Sequence, residues 1–175
     1  MRRQAFARGR VEGNLLEGLR GGQIELGCHV LFEPHVWISV LGDGHLRIGD
    51  YTSLNVGVMV QAVQLVEIGS HCLIANGCFI SDANHRYDDP VRPVPWQGLT
   101  TKGPTRIEDN VWLGANVVVT SGVTIGERCV VGANSVVTHD LPPRTVCAGV
   151  PARPLREIDY REDLLPPVDL HGGWR

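Results

Sequence analysis

The sequence predicts an all-β stack of triangular coils, and three features carry that prediction. These are a six-residue recurrence of apolar side chains, the turn-forming residues between them, and an excess of glycine. Stepping by six from Ile107, the chain meets Leu113, Val119, Ile125, Val131 and Val137. With 43% hydrophobic content, such a run in a fixed register arises by chance about 0.6% of the time. The residues two earlier are Thr105, Val111, Val117, Val123, Cys129 and Ser135, all small or β-branched. The same step recurs in Ile68, Ile74, Ile80, in Ile48, Leu54, Val60 and in Leu26, Phe32, Ile38, with slips of two and four residues between triplets.

A period of six excludes a helix, on which six residues advance by about 600° and scatter the apolar residues over three faces. In an extended chain, positions i−2 and i share a face, so each hexad sends two side chains inward. Gly114–Asn116, Gly126–Arg128 and Gly132–Asn134 fall between them, as corners require. Three hexads close one triangular circuit of 18 residues. Five triplets give about five coils, each strand lying about 4.8 Å above the previous one. Glycine supplies 21 of 175 residues against about 7% in average usage, which fits a chain made largely of corners.

The elements follow in order. Residues 1–23 form an N-terminal cap, with a short helix expected in 11–20 (VEGNLLEGLR), because a raw end of stacked strands recruits other strands unless covered. Residues 24–151 form the coil stack. The register breaks at 81–106, where 27 residues separate Ile80 from Ile107 and six would suffice. This polar, proline-containing segment carries Tyr87, Trp96 and His85, and a loop so long is commonly functional. Residues 152–175 form a C-terminal cap and tail without hexads. Cys72, Cys78, Cys129 and Cys147 are expected inward at the small i−2 position as packing thiols, with no disulfide between Cys72 and Cys78. His29, His35 and His71 are expected on solvent-facing corners.

Composition narrows the function. The length suits one domain. A net charge of −3 gives no reason to expect a nucleic-acid partner, and no stretch is long and apolar enough for a membrane span. The N-terminal MRRQAFARGRVEGN has no apolar core of the kind a secretory signal needs, so a cytoplasmic location is expected.

Beyond the hexads, four segments resemble the hexapeptide-repeat acetyltransferases. They are DANH (Asp82–His85), NVWLGANVVVTSGVTIGERCVVGANSVVTHDLPP (Asn110–Pro143), AGVPARPLREI (Ala148–Ile158) and the repeat itself. The likeness covers residues 24–158 and is nearest to the sugar and polysaccharide O-acetyltransferases, such as galactoside and maltose acetyltransferases. It implies a left-handed parallel β-helix, a homotrimer with sites between subunits, and acetyl-CoA as co-substrate without a metal.

Acetyl transfer from a thioester to a hydroxyl needs a base for the hydroxyl proton and donors for the developing oxyanion. An imidazole suits the first task and general-base help supplies about 10²–10⁴-fold. The resemblance makes His85 that base, with Asp82 as a candidate to orient its ring; an Asx turn is the competing role for Asp82. It places Ala115 and Ala133 against the pantetheine arm and Thr138 and His139 near the nucleotide end, His139 standing where the family has lysine. Arg153 and Arg156 match positions that contact coenzyme phosphates. Asn55, Tyr87 and Trp96 are acceptor-side candidates, the last two able to stack on a sugar ring, and Trp112 is expected at a subunit interface or cleft wall.

Other readings stay open. Acetylation of the amine of a nucleotide amino sugar, or of a xenobiotic, uses the same mechanism. A γ-carbonic-anhydrase-like hydratase would need two histidines separated by four residues, which no pair here shows, and His85 has no metal-spaced partner. A non-catalytic trimeric scaffold would leave the His85 loop without a purpose.

Overall fold

The computed structural model describes residues 5–160 as a parallel β-helix of three flat faces. Residues 1–4 of the N-terminal cap and 161–175 of the C-terminal tail lie outside the described residues. Face I stacks Phe6–Ala7, Leu31–Phe32, Ser53–Leu54, Leu73–Ile74, Trp112–Leu113, Val130–Val131 and Thr145–Gly149, all parallel. Face II stacks Glu12–Gly13, Trp37–Val40, Met59–Ala62, Phe79–Ser81, Val118–Val119 and Val136–Val137. Face III stacks Ile24–Leu26, His45–Ile48, Leu65–Ile68, Thr105–Ile107 and Thr124–Ile125, continued by a bridge from Ile125 to Leu141.

The hexads lie where the period puts them. From Phe32 and Ile38 to Val131 and Val137, both inward positions of each hexad are buried, in one continuous core. Each fully buried aliphatic side chain contributes about 1.5–3 kcal/mol relative to exposure. The stack has about six turns where the hexads account for five. The extra turn is Phe6–Ala7, Glu12–Gly13 and Ile24–Leu26, with the helix Leu15–Arg20 inserted at its last corner. A terminal rung has a neighbour on one side only, so it forms on backbone hydrogen bonds such as Phe6 N–H to Val30 O at 2.8 Å without the full hexad pattern.

One detail differs from the sequence expectation. Cys147 pairs with Val131 and Thr145 takes the i−2 slot, because the step from Val137 to Leu141 is two residues shorter than a hexad. Cys147 is nonetheless buried, with its sulfur 3.8 Å from that of Cys129. The C-terminal cap begins with the strand Ala152–Glu157, which folds back antiparallel on Thr145–Gly149 and closes that end of face I.

The corners use positive φ. His29, Tyr51 and His71 take it at the III/I edge, and Asn116 and Asn134 at the I/II edge. Corners on adjacent turns nest closely: a Cβ on Gly114 would stand 2.6 Å from the backbone nitrogen of Ala133. The outward residues differ by face. Face III carries an ion-pair ladder, Glu25–Arg47–Glu67–Arg106, at 3.3, 3.1 and 2.7 Å. Faces I and II present apolar side chains instead, among them Leu73, Trp112 and Met59, all exposed.

Candidate active site

Every insertion in the coil falls at the II/III edge. The helix, residues 41–44, residues 63–64 and the long segment after Ser81 all leave the stack there. An extra residue at a corner removes backbone N–H groups from the ladder, and those groups need new partners. The side chain of Asn14 supplies them for the turn above: its amide donates to Val40 O at 2.7 Å and its oxygen accepts from Val40 N–H at 2.9 Å.

Asp82 does the same work for residues 63–65. Its carboxylate accepts from the N–H groups of Val63, Gln64 and Leu65 at 2.8, 2.8 and 2.6 Å, and the residue is fully buried. Of the two roles the sequence left open for Asp82, orienting the imidazole or capping a turn, these bonds are of the second kind. The carboxylate is committed to the corner of the neighbouring turn, and His85 stands exposed three residues further on. The turn role is the one borne by the geometry, although across turns rather than within its own loop.

Beyond Asp82 the chain leaves the stack as an ordered arm. Asn84–His85 pairs antiparallel with Leu99–Thr100, His85 opposite Leu99, and Arg86 N–H donates to Gly98 O at 3.0 Å. At the tip the Asp89 carboxylate accepts from Val91 and Arg92 N–H at 2.9 and 3.1 Å, which holds it below the ordinary carboxylate range. The Gln97 amide braces the tip by donating to Asp89 O and Arg92 O at 3.1 and 2.6 Å. The root is fastened too. The Ser121 hydroxyl donates to Asp82 O at 2.6 Å and accepts from Lys102 N–H at 2.8 Å, while Thr105 donates to Ser81 O at 3.2 Å. Ser121 was not singled out from sequence; a polar residue next to the hexad run beside the insertion was the available signal.

The rigid arm holds its aromatic side chains in the open: Tyr87 is 81% and Trp96 73% exposed. The other candidates lie on two different edges. Asn55, Ala115 and Ala133 sit at the I/II edge, Asn55 half-buried with its amide donating to Ile74 O at 3.2 Å. Thr138 and His139 sit at the II/III edge, exposed, with Thr138 Oγ1 2.8 Å from His139 Nδ1. Arg153 and Arg156 extend from the closing strand of face I, exposed, and neither forms an ion pair among the described residues. One chain therefore does not bring His85 and the small-residue corners together, since the width of face II separates them, about 16 Å at five extended residues. Among the described residues no three His, Cys, Asp or Glu side chains stand close enough to hold a metal ion, and no helix is long and apolar enough to cross a membrane.

A family model described as the hexapeptide repeat of succinyl-transferase matches residues 104–139. The putative lipopolysaccharide biosynthesis O-acetyl transferase WbbJ of Escherichia coli is 34% identical over 150 residues, covering 82% of this chain and 76% of that protein. The chain belongs to the hexapeptide-repeat acetyltransferases. Within this family, galactoside O-acetyltransferase of Escherichia coli is 36% identical over 137 residues, 78% of this chain, which spans 65% of that enzyme's length. The solved hexapeptide-repeat acetyltransferase VCA0836 of Vibrio cholerae is 31% identical with a TM-score of 0.56, covering 90% of this chain and 74% of that one. VCA0836 is also solved complexed with acetyl-CoA.

Proposed function

We propose that this chain transfers the acetyl group of acetyl-CoA to a hydroxyl of a sugar or polysaccharide precursor, in the cytoplasm, with His85 as general base in a homotrimer. The observation that carries the reading is the placement of His85. An exposed imidazole stands on a braced arm at one edge of the prism, and the small-residue corners Ala115 and Ala133 lie at another. Two neighbouring chains join what one chain separates: the arm of one faces the I/II edge of the next across a cleft. The exposed apolar residues of face I and of the arm support a neighbour there.

In that cleft the acceptor oxygen attacks the thioester carbonyl carbon as the unprotonated nitrogen of His85 takes its proton. The carbon–sulfur bond then breaks, and the proton passes to the departing sulfur, leaving an acetyl ester and free CoA thiol. Backbone N–H groups at the corners are suited to the oxyanion, where one well-placed donor contributes about 3–4 kcal/mol. Ala115 and Ala133 leave room for the pantetheine arm, and Thr138, His139, Arg153 and Arg156 lie further along the stack toward the phosphates. The two arginines, whose guanidinium groups stay charged and suit phosphate geometry, carry the phosphate contact. Asn55, Tyr87 and Trp96 border the acceptor side.

His85→Ala tests the assignment. Thiol release should fall by at least about 10² with the circular dichroism spectrum and oligomeric mass unchanged, and activity retained within tenfold would refute it. A screen of galactosides, nucleotide amino sugars and aminoglycosides then separates O- from N-acetylation.

A further inference from the structure

The two ends of the stack are finished differently. The last turn is closed on face I by the strand Ala152–Glu157. The first turn has no such cover among the described residues, and Phe6–Ala7 and Glu12–Gly13 each pair on one side only. Val11 and Leu15 pack on the core from this end and stay half-buried. They floor a hollow of about 800 Å³ whose rim carries Leu16, Arg10 and Arg20, with Glu17 as its carboxylate. The helix Leu15–Arg20 is turned so that Gly18 is buried, a Cβ there standing 2.5 Å from Ile24 Cδ1. Leu16 and Arg20 lie two residues to either side of Gly18, about 160° round the helix from it, and so point away from the stack. Leu16 is 68% exposed and Leu19 37%.

Charge singles out the same end. Residues 1–20 hold five arginines and two glutamates, a net of +3, in a chain whose total is −3, so the other 155 residues carry −6. Arg8 is spent on Glu33 at 2.9 Å, while Arg10 and Arg20 form no ion pair among the described residues. We propose that this open end docks on an anionic lipid surface. The guanidinium groups of Arg10 and Arg20 meet headgroup phosphates, and Leu16 and Leu19 enter the boundary between headgroups and acyl chains. Apolar side chains bordered by arginine are what that boundary takes up. Each arginine near an anionic surface strengthens binding about fivefold, and the negative charge of the rest of the chain keeps its other surfaces away. A second copy set end to end would bring these unpaired guanidinium groups toward their own counterparts, and a nucleic acid would leave Leu16 and Leu19 in water. The inference stands apart from the identity of the acceptor and from the oligomeric state.

Sedimentation of the full chain with lipid vesicles tests the docking. The chain should bind vesicles of equal parts phosphatidylcholine and phosphatidylglycerol and leave vesicles of phosphatidylcholine alone in suspension. Arg10→Ala/Arg20→Ala should weaken binding about 25-fold and Leu16→Ser by about tenfold or more. All three side chains are exposed, so the circular dichroism spectrum and melting temperature should not change. Should either variant lose its fold, Arg20→Gln alone, about fivefold weaker in binding, decides the matter. Arg144→Ala, which removes an arginine near the opposite end, should bind as the parent does. A parent that does not bind, or that binds both kinds of vesicle alike, overturns the proposal. So does a Leu16→Ser variant that binds like the parent, or an Arg144→Ala variant weakened as much as Arg10→Ala/Arg20→Ala. An oligomeric mass that halves in Leu16→Ser without vesicles puts a second copy on this end and overturns it too, as does an affinity for duplex DNA above that for the anionic vesicles.

Discussion

Asp82→Asn separates the two roles open to that residue. The carboxylate accepts three backbone N–H groups at 2.6–2.8 Å from a fully buried position. Asparagine keeps one oxygen, which can serve two of the three, and turns an NH₂ group toward the third. The loss of one hydrogen bond to a charged acceptor is worth about 1.5–3 kcal/mol, and opposed donors add to it, so a destabilisation of about 2–4 kcal/mol is expected. For a chain of this size each kcal/mol lowers the melting temperature by about 2–4 °C, giving a drop of roughly 4–16 °C. Where an aspartate orients a catalytic imidazole, the same change costs about 10⁴ in kcat with little effect on the fold. The expected result here is the reverse pattern: a lower urea midpoint and a kcat within about tenfold of the parent at a temperature where both are folded. A kcat loss beyond 10² with an unchanged midpoint would refute the assignment of Asp82 to the 63–65 corner.

Three further outcomes follow from named groups. Ala133→Trp should raise the KM for acetyl-CoA while leaving the fold intact, since the I/II corner is narrow and a large ring there fills the coenzyme's path; an unchanged KM would put the coenzyme elsewhere. A disulfide reagent should titrate about one thiol in the native chain, Cys28, and five in denaturant, because Cys28 alone is not fully buried. Burial pushes the Cys72 thiol up to about 11 and the Cys129 thiol up to about 12 from an ordinary 9.0. Both therefore ionise first in the unfolded chain, so their stability contribution is complete below about pH 9 and is lost as pH rises toward 11–12. The urea midpoint should fall over that range, and fall less in Cys72→Val.

The fold was legible because every interior rung repeats one environment. Ile74 lies between Leu54 and Leu113, so the same side-chain class is selected turn after turn and the period survives in the sequence. The first turn lacks that constraint, with Ala7 and Gly13 exposed beside Phe6, and its rungs were hidden inside what reads as a cap. The arm was legible as a break in register, whereas its antiparallel pairing and the bracing by Asp89 and Gln97 depend on residues eight apart meeting across a tip, which no periodicity encodes. The role of Asp82 was hidden for a related reason. Its partners lie 17–19 residues earlier, on the turn below. Those partners need it only because two extra residues at 63–64 take their N–H groups off the ladder. The slip in the hexads and the aspartate one turn later are one device; at 41–44 the Gln23 amide plays the matching part, donating to Gly42 O and Gly44 O at 2.7 and 3.3 Å. The II/III edge accumulates the insertions, whereas the I/II and III/I corners keep their regular nesting from turn to turn, as Gly114 against Ala133 and Gly49 against Ser70 illustrate. Polar side chains one turn away, Gln23 for 41–44 and Asp82 for 63–65, satisfy what those insertions expose, and the longest insertion, rooted by Asp82, Thr105 and Ser121, is the one that carries His85.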